Sequence, residues 1–206
     1  MVSSYPVQFD VDYPARPLNR LTTAFRMIVA IPILIVLGTL SGETLHSNSH
    51  ATTYTLATGG GILFLPLVLM ILFRQKYPRW WYDWNLNFLR FSSRVTAYLA
   101  LLDDRYPSAD EEQAVHLNFP YPDASQLNRW LPLVKWLLAI PHYFVLFFLA
   151  IGAVVAIIVA WFAILFTGTY PRGLFDFVVS VLRWSNRVSG YAYTLVTDEY
   201  PPFSLS

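Results

Sequence analysis

The chain has 206 residues, of which 55% are apolar, 17% aromatic and only 13% charged. A soluble domain needs about a quarter charged residues to cover its surface, so this composition excludes an ordinary soluble protein and points to an integral membrane protein. A net charge of +1 excludes a strongly basic nucleic-acid binder, and the lack of cysteine excludes disulfides, thiolate metal sites and a cysteine nucleophile.

In chain order, Val7-Gln8-Phe9-Asp10-Val11-Asp12 alternates apolar and polar residues, the period of a half-buried strand. Between Met27 and Phe73 the only formally charged residue is Glu43, and between Trp136 and Phe166 there is none. Each stretch exceeds the roughly 20 residues of one crossing. This predicts four transmembrane helices, at residues 19–40, 56–73, 128–149 and 152–169, with a tight turn at Ile151-Gly152. The competing reading is one long kinked helix in the second half. All 14 basic residues flank the outer ends of the two apolar hairpins, and none lies in residues 41–55 or at Ile151. Because Lys and Arg mark the cytoplasmic side, four crossings put both termini and the middle inside, whereas one long helix would export a basic set.

After each hairpin comes an amphipathic helix. At 100° per residue, Arg79, Asp83, Asn87, Arg90 and Arg94 fall within about 80° of one another, beside a face of Trp80, Trp81, Trp84, Phe88 and Phe91. Arg172, Asp176, Ser180, Arg183 and Arg187 repeat the stripe. Such a helix suits the headgroup layer, its guanidinium groups taking phosphate oxygens. The structural alternative pairs these Arg residues with Asp83, Asp176 and other acids. Arg26 and Lys135 lie about two turns inside their spans, where snorkelling to the headgroups is expected. Val115-His116-Leu117-Asn118-Phe119 is a second alternating strand, and residues 98–102 and 191–197 are further strand candidates.

The chain is written twice. Leu18-Asn19-Arg20 recurs as Leu127-Asn128-Arg129 and Ala30-Ile31-Pro32 as Ala139-Ile140-Pro141, at an offset of 109, with Lys135 answering Arg26. Tyr77-Pro78-Arg79 recurs as Tyr170-Pro171-Arg172 at an offset of 93, followed by Asp83 and Asp176, Arg90 and Arg183, Arg94 and Arg187, Tyr98 and Tyr191. The difference of 16 residues is an insertion in the first outer loop. The expected organisation is a first repeat over 1–107, a linker over 108–113 and a second repeat over 114–206. The fold class is therefore mainly α: four transmembrane helices from two tandem hairpins, amphipathic interfacial helices and a small cytoplasmic β layer.

Other polar groups are few. His142 is an intramembrane ionisable residue, for which a neutral, hydrogen-bonded imidazole is expected. His46 and His50 have the four-residue spacing of a metal pair, but Ser47-Asn48-Ser49 favours a turn and only Glu43 could add a third ligand. No metal site, cofactor or catalytic motif is predicted, so the protein is expected not to be an enzyme.

The segments Tyr5-Pro6-Val7-Gln8-Phe9-Asp10-Val11-Asp12-Tyr13-Pro14, Leu18-Asn19-Arg20, Tyr170-Pro171-Arg172, Phe175-Asp176 and Thr197-Asp198-Glu199-Tyr200-Pro201-Pro202-Phe203 resemble a bacterial membrane family known as domain of unknown function 4389. That resemblance implies a multi-pass protein of the bacterial inner membrane and carries over no functional residue. The expected function is a structural or accessory subunit of a homo- or hetero-oligomeric membrane assembly. The alternative is binding or transport of anionic lipid or a small amphiphile at the cytoplasmic leaflet, through Arg79, Arg90, Arg94, Arg172, Arg183, Arg187, Arg26 and Lys135. Expected partners are the bilayer with its anionic phospholipid and other membrane proteins or further copies of the chain, with no nucleic acid.

Overall fold

A computed structural model describes residues 5–41, 64–109 and 111–205. In chain order the elements are β1 (Gln8–Val11), α1 (Arg20–Val29), α2 (Ile31–Ser41), α3 (Phe64–Arg74), α4 (Arg79–Leu99), β2 (Val115–Asn118), α5 (Leu131–Leu138), α6 (Ile140–Thr167) and α7 (Arg172–Ala192). The fold is mainly helical with a small two-stranded sheet. Two helical runs, Arg20–Thr39 and Leu131–Thr167, are long and apolar enough to cross a membrane.

The strands form where alternation predicts them. They pair antiparallel, with Phe9 opposite Leu117, Asp10 opposite His116 and Val11 opposite Val115. Phe9, Val11, Val115 and Leu117 are buried, while Gln8, Asp10, His116 and Asn118 face outward. The other two strand candidates are helix ends. α4 and α7 run through Tyr98 and Tyr191, and the chain then reverses at Leu101 (φ 65°) and Leu195 (φ 54°), both in left-handed conformation. Aromatic content there serves helix packing: Tyr98 and Tyr191 are fully part of buried clusters.

The turn predicted at Ile151-Gly152 is absent, because α6 runs unbroken through both residues. The hairpin of 128–149 and 152–169 is therefore one kinked run, and the four-crossing plan loses its second hairpin. A single glycine in an Ala, Val, Ile and Phe helix costs about 1 kcal/mol, too little to break it. At Gly152 a Cβ would lie 3.4 Å from the Phe177 ring, an ordinary contact distance, so the position marks where α7 packs on α6. The actual breaks fall at Ala30 and Ala139, where Pro32 and Pro141 remove the amide that the preceding helix would need. In the first half the expected span 56–73 is described only from Phe64, and the rest lies outside the described residues.

α7 lies antiparallel along α6. Trp184 meets His142, Phe177 meets Gly152, and Ala192 joins the cluster around Ala139. The segment from Val7 to Tyr13, which contains β1, runs along a different side of α7, with Val7 against Gly190, Phe9 and Asp10 at Arg183, and Tyr13 against Phe175. β2 lies along α4 in the same manner, with Leu117 at Arg90 and Phe119 against Tyr82. α1 crosses the far end of α6, where Trp161 donates to the Thr23 carbonyl and the Leu18 amide donates to that of Gly168. The outer side of α6 is one exposed apolar stripe, Phe144, Phe147, Ile151, Val155, Ile158 and Phe162, at helical spacing.

Candidate functional site

The two basic stripes are largely occupied by the chain itself. Arg90 donates from Nε to the Leu117 carbonyl and from Nη2 to Asn118 at 2.9 and 3.1 Å. Arg183 makes the corresponding bonds to the Phe9 carbonyl and to the Asp10 carboxylate, both at 2.9 Å. Each helix from one half thus holds the strand of the other. Arg94 donates to the carbonyls of Ser108 and Ala109, and Arg187 to that of Ser204. Arg187 is buried, and desolvation lowers its pKa from the usual arginine value. The predicted ion-pair partners Asp83 and Asp176 are exposed and form no ion pair among the described residues. The pairs use Asp10 with Arg183 and Asp198 with Lys135 instead, because those carboxylates lie on segments that the basic helices cover.

Arg26 and Lys135 turn inward rather than snorkelling. Arg26 lies over the Tyr98 ring and donates to the carbonyls of Tyr98 and Asp103 at 2.8 and 2.7 Å. Lys135 lies over the Tyr191 ring, donates to the Thr197 carbonyl at 2.7 Å and pairs with Asp198 at 2.6 Å. Both are buried, and each ties a helix to the segment that follows the left-handed turn. The carboxylates of Asp104 and Asp198 in turn accept from the amides of Asn19 and Asn128, just before α1 and α5.

His142 is buried, accepts at Nδ1 from the Trp184 indole at 3.0 Å and stacks on Phe203 with ring centroids 4.0 Å apart. Accepting at Nδ1 fixes the neutral tautomer protonated at Nε2. His46 and His50 lie outside the described residues, and among those described no group of three His, Asp or Glu could hold a metal.

Most of the cations that remain exposed gather at two ends, while exposed Arg105 is held by Asp103. Arg20 sits at the C-terminus of α6, beside Gly168, and Arg172 close by lies over the Tyr13 ring. Arg129 bonds Gln75 just after α3, near the exposed Arg74, Lys76 and Arg79, the last over the Tyr121 ring. Exposed Leu21, Phe73, Trp80, Trp130 and Phe166 stand next to them. Arg–aromatic groups flanking an apolar face are what a headgroup layer accommodates.

Sequence reasoning missed the tyrosine clamps. Tyr13 donates to the Tyr170 carbonyl and Tyr121 to that of Tyr77, crossing between halves, while the Tyr77 hydroxyl reaches the Thr194 carbonyl. Burial pushes the Tyr77 phenol well above its ordinary pKa, so it acts only as a neutral donor. The Tyr-Pro dipeptide, recurring at 5, 13, 77, 106, 121, 170 and 200, was the available signal.

Residues 130–204 match the family model described as Domain of unknown function (DUF4389), the family that the sequence resembles. No curated protein and no solved structure matches the chain.

Proposed function

We propose that the protein is a non-enzymatic membrane protein that lies flat in the cytoplasmic leaflet and holds anionic lipid headgroups with the cations at the two ends of its apolar face. The observation that carries this is the direction of packing. α6, with 28 residues, is about 42 Å long, and the segment from Val7 to Tyr13, with β1 in it, runs beside α7 from Gly190 to Phe175. If α6 stood upright in a core about 30 Å thick, the sheet, held by Arg183 next to the Trp184 that meets His142, would be carried towards the core beside the first part of α6. Its outward side chains Asp10, Asp12 and His116 are 69%, 69% and 59% exposed. An aspartate costs about 2.5–3.5 kcal/mol at the centre of the core even on permissive scales, and an upright α6 would draw these towards it. Laying α6 flat puts its apolar stripe among the acyl chains and the sheet in water. The one-sided placement of the basic residues is then met without any crossing, and both termini stay cytoplasmic as expected from the sequence. The tandem repeat supports the same reading, since the bonds made by Arg90 and Arg183, and by Arg26 and Lys135, recur in both halves. The accessory-subunit reading draws on the same stripe, which a partner helix would cover in place of lipid.

The chain has no cysteine, so single-cysteine variants report sidedness directly. Ser125→Cys and Thr169→Cys flank the α5–α6 run at exposed positions. In oriented inner-membrane vesicles, a membrane-impermeant maleimide is expected to modify both from the cytoplasmic face alone. Modification from opposite faces would show that α6 crosses. Native mass spectrometry is expected to find anionic phospholipid retained, and depleted in Arg20→Ala/Arg129→Ala; a stoichiometric protein partner in its place supports the accessory subunit.

A further inference from the structure

The two repeats end their apolar helices alike and then diverge. α3 and α6 close on a left-handed residue, Gln75 (φ 45°) and Gly168 (φ 78°), whose amides reach back to the carbonyls of Ile71 and Ile164. At each end one arginine meets that residue and a second lies over a tyrosine ring. These are Arg129 with Arg79 over Tyr121, and Arg20 with Arg172 over Tyr13. At the α6 end the chain fills the space between them. Pro17 and Arg20 pack on Gly168, and the Leu18 amide donates to its carbonyl at 2.8 Å. At the α3 end the equivalent segment is one residue longer, 121–127 against 13–18. An open cleft of about 530 Å³ stands there, lined by Met70, Gln75, Lys76, Tyr121, Asp123 and Ser125 among others.

The cleft's walls decide what it can hold. Lys76 lines it, Arg129 bonds Gln75 on its wall at 2.6 Å, and Arg79 lies 5.6 Å from the centre of the Tyr121 ring. All three cations are exposed, and none is paired with a carboxylate among the described residues. Asp123, the carboxylate on the wall, is taken up by its own loop. It accepts from the Ser125 amide, the Ser125 hydroxyl and the Gln126 side chain at 3.0, 2.7 and 3.1 Å. The positive charge is therefore uncompensated, and guanidinium and ammonium groups are the donors that phosphate oxygens take best. The floor is apolar, with Pro122 and Ala124 buried. A cavity of roughly 150 Å³ holds a benzene ring, so this one has room for a phosphate with a glycerol-sized alcohol attached. We infer that the cleft at the end of α3 is a binding site for one phosphate ester of a small polyol, held by Lys76, Arg79 and Arg129. It gives the headgroup binding of the proposed function a particular place and ligand chemistry. The bilayer as source of the ligand rests on that reading, but the cleft and its charge do not.

Calorimetric titration of the purified full-length chain in dodecyl maltoside tests the site, with glycerol 3-phosphate and dihexanoyl phosphatidylglycerol as the two probes. One saturable equivalent is expected. Binding of glycerol 3-phosphate shows that the phosphate ester alone suffices, whereas binding of the lipid alone makes the bilayer the source. Lys76→Glu is expected to weaken binding at least tenfold. Ser125→Trp keeps every cation and fills the cleft from the opposite wall, and the same loss is expected from it. Both positions are exposed, so native melting temperatures are expected. Arg105→Glu makes the same change of net charge away from the cleft and is expected to leave the affinity unchanged. No saturable binding of either probe overturns the site, as does native affinity in Ser125→Trp or an equal loss in Arg105→Glu. Micelles define no leaflet, so a failure here and a failure of the maleimide experiment are separate results.

Discussion

Arg26 and Lys135 show how an ionisable residue survives inside an apolar helix. Neither is left to water. Each finds an aromatic face and the carbonyls of a reversed segment, and Lys135 adds the carboxylate of Asp198. The Lys135 side chain is fully buried while Asp198 keeps some contact with solvent, so the cation suffers most of the desolvation. Removing one partner of such a pair strands the other, whereas replacing both with uncharged groups of similar shape is milder. Lys135→Ala is accordingly expected to destabilise the protein by on the order of 3 kcal/mol, and Lys135→Met/Asp198→Asn by clearly less. Thermal denaturation in one detergent compares them; equal losses would mean that the pair does not hold this corner. The sequence displayed the two residues as a matched pair, but not which way they point. Direction depends on Tyr98 and Tyr191 being delivered by helices 72 (98 − 26) and 56 (191 − 135) positions away, a tertiary fact with no local signature.

At the scale of elements, the legible features were those with a period. β1, β2, α4 and α7 appear where alternation or a 3.6-residue stripe placed them. Hydropathy located the long apolar runs but misplaced their interruption. It took Gly152 for a turn, although α6 runs unbroken through it against Phe177, and passed over Ala139-Ile140-Pro141, where the helix does break. Gly190 is the stricter case. A Cβ there would lie 2.5 Å from Cγ2 of Val7, a buried β-branched side chain with little rotamer freedom. Gly190→Ala is expected to push β1 off α7 and cost about 1–3 kcal/mol, as overpacking does. Val7→Ala, by vacating the contested space, is expected to recover part of the loss in the double variant. Strict additivity of the two single effects would place the clash elsewhere.

Across the whole molecule, the halves read from the sequence are not separable bodies. β1 of the first half lies along α7 of the second, β2 of the second lies along α4 of the first, and Tyr13 and Tyr121 clamp across in both directions. α1 likewise packs on α6, and the segment after α3 is tied to Arg129. The strand register makes the exchange nearly symmetrical, since Phe9 and Leu117, whose carbonyls accept from Arg183 and Arg90, face each other in the sheet. This could not be read from one chain. Repeat offsets say that two segments are alike, not which partner each strand chooses. The consequence is testable by cutting the chain between the halves. Residues 1–109 or 111–206 expressed alone would expose the buried face of its own strand and the strand-binding side of its long amphipathic helix. Neither is expected to give a folded, monodisperse product. Co-expressed, the two fragments are expected to co-purify at one to one, because each supplies the strand the other's Arg90 or Arg183 requires. Independent folding of either fragment, with a cooperative melt and no affinity for the other, would instead mean that the exchanged strands contribute little. Association of the fragments that is abolished by Arg90→Ala/Arg183→Ala would place the cohesion of the molecule in those two guanidinium groups, on the side of the protein that the flat seating turns towards water.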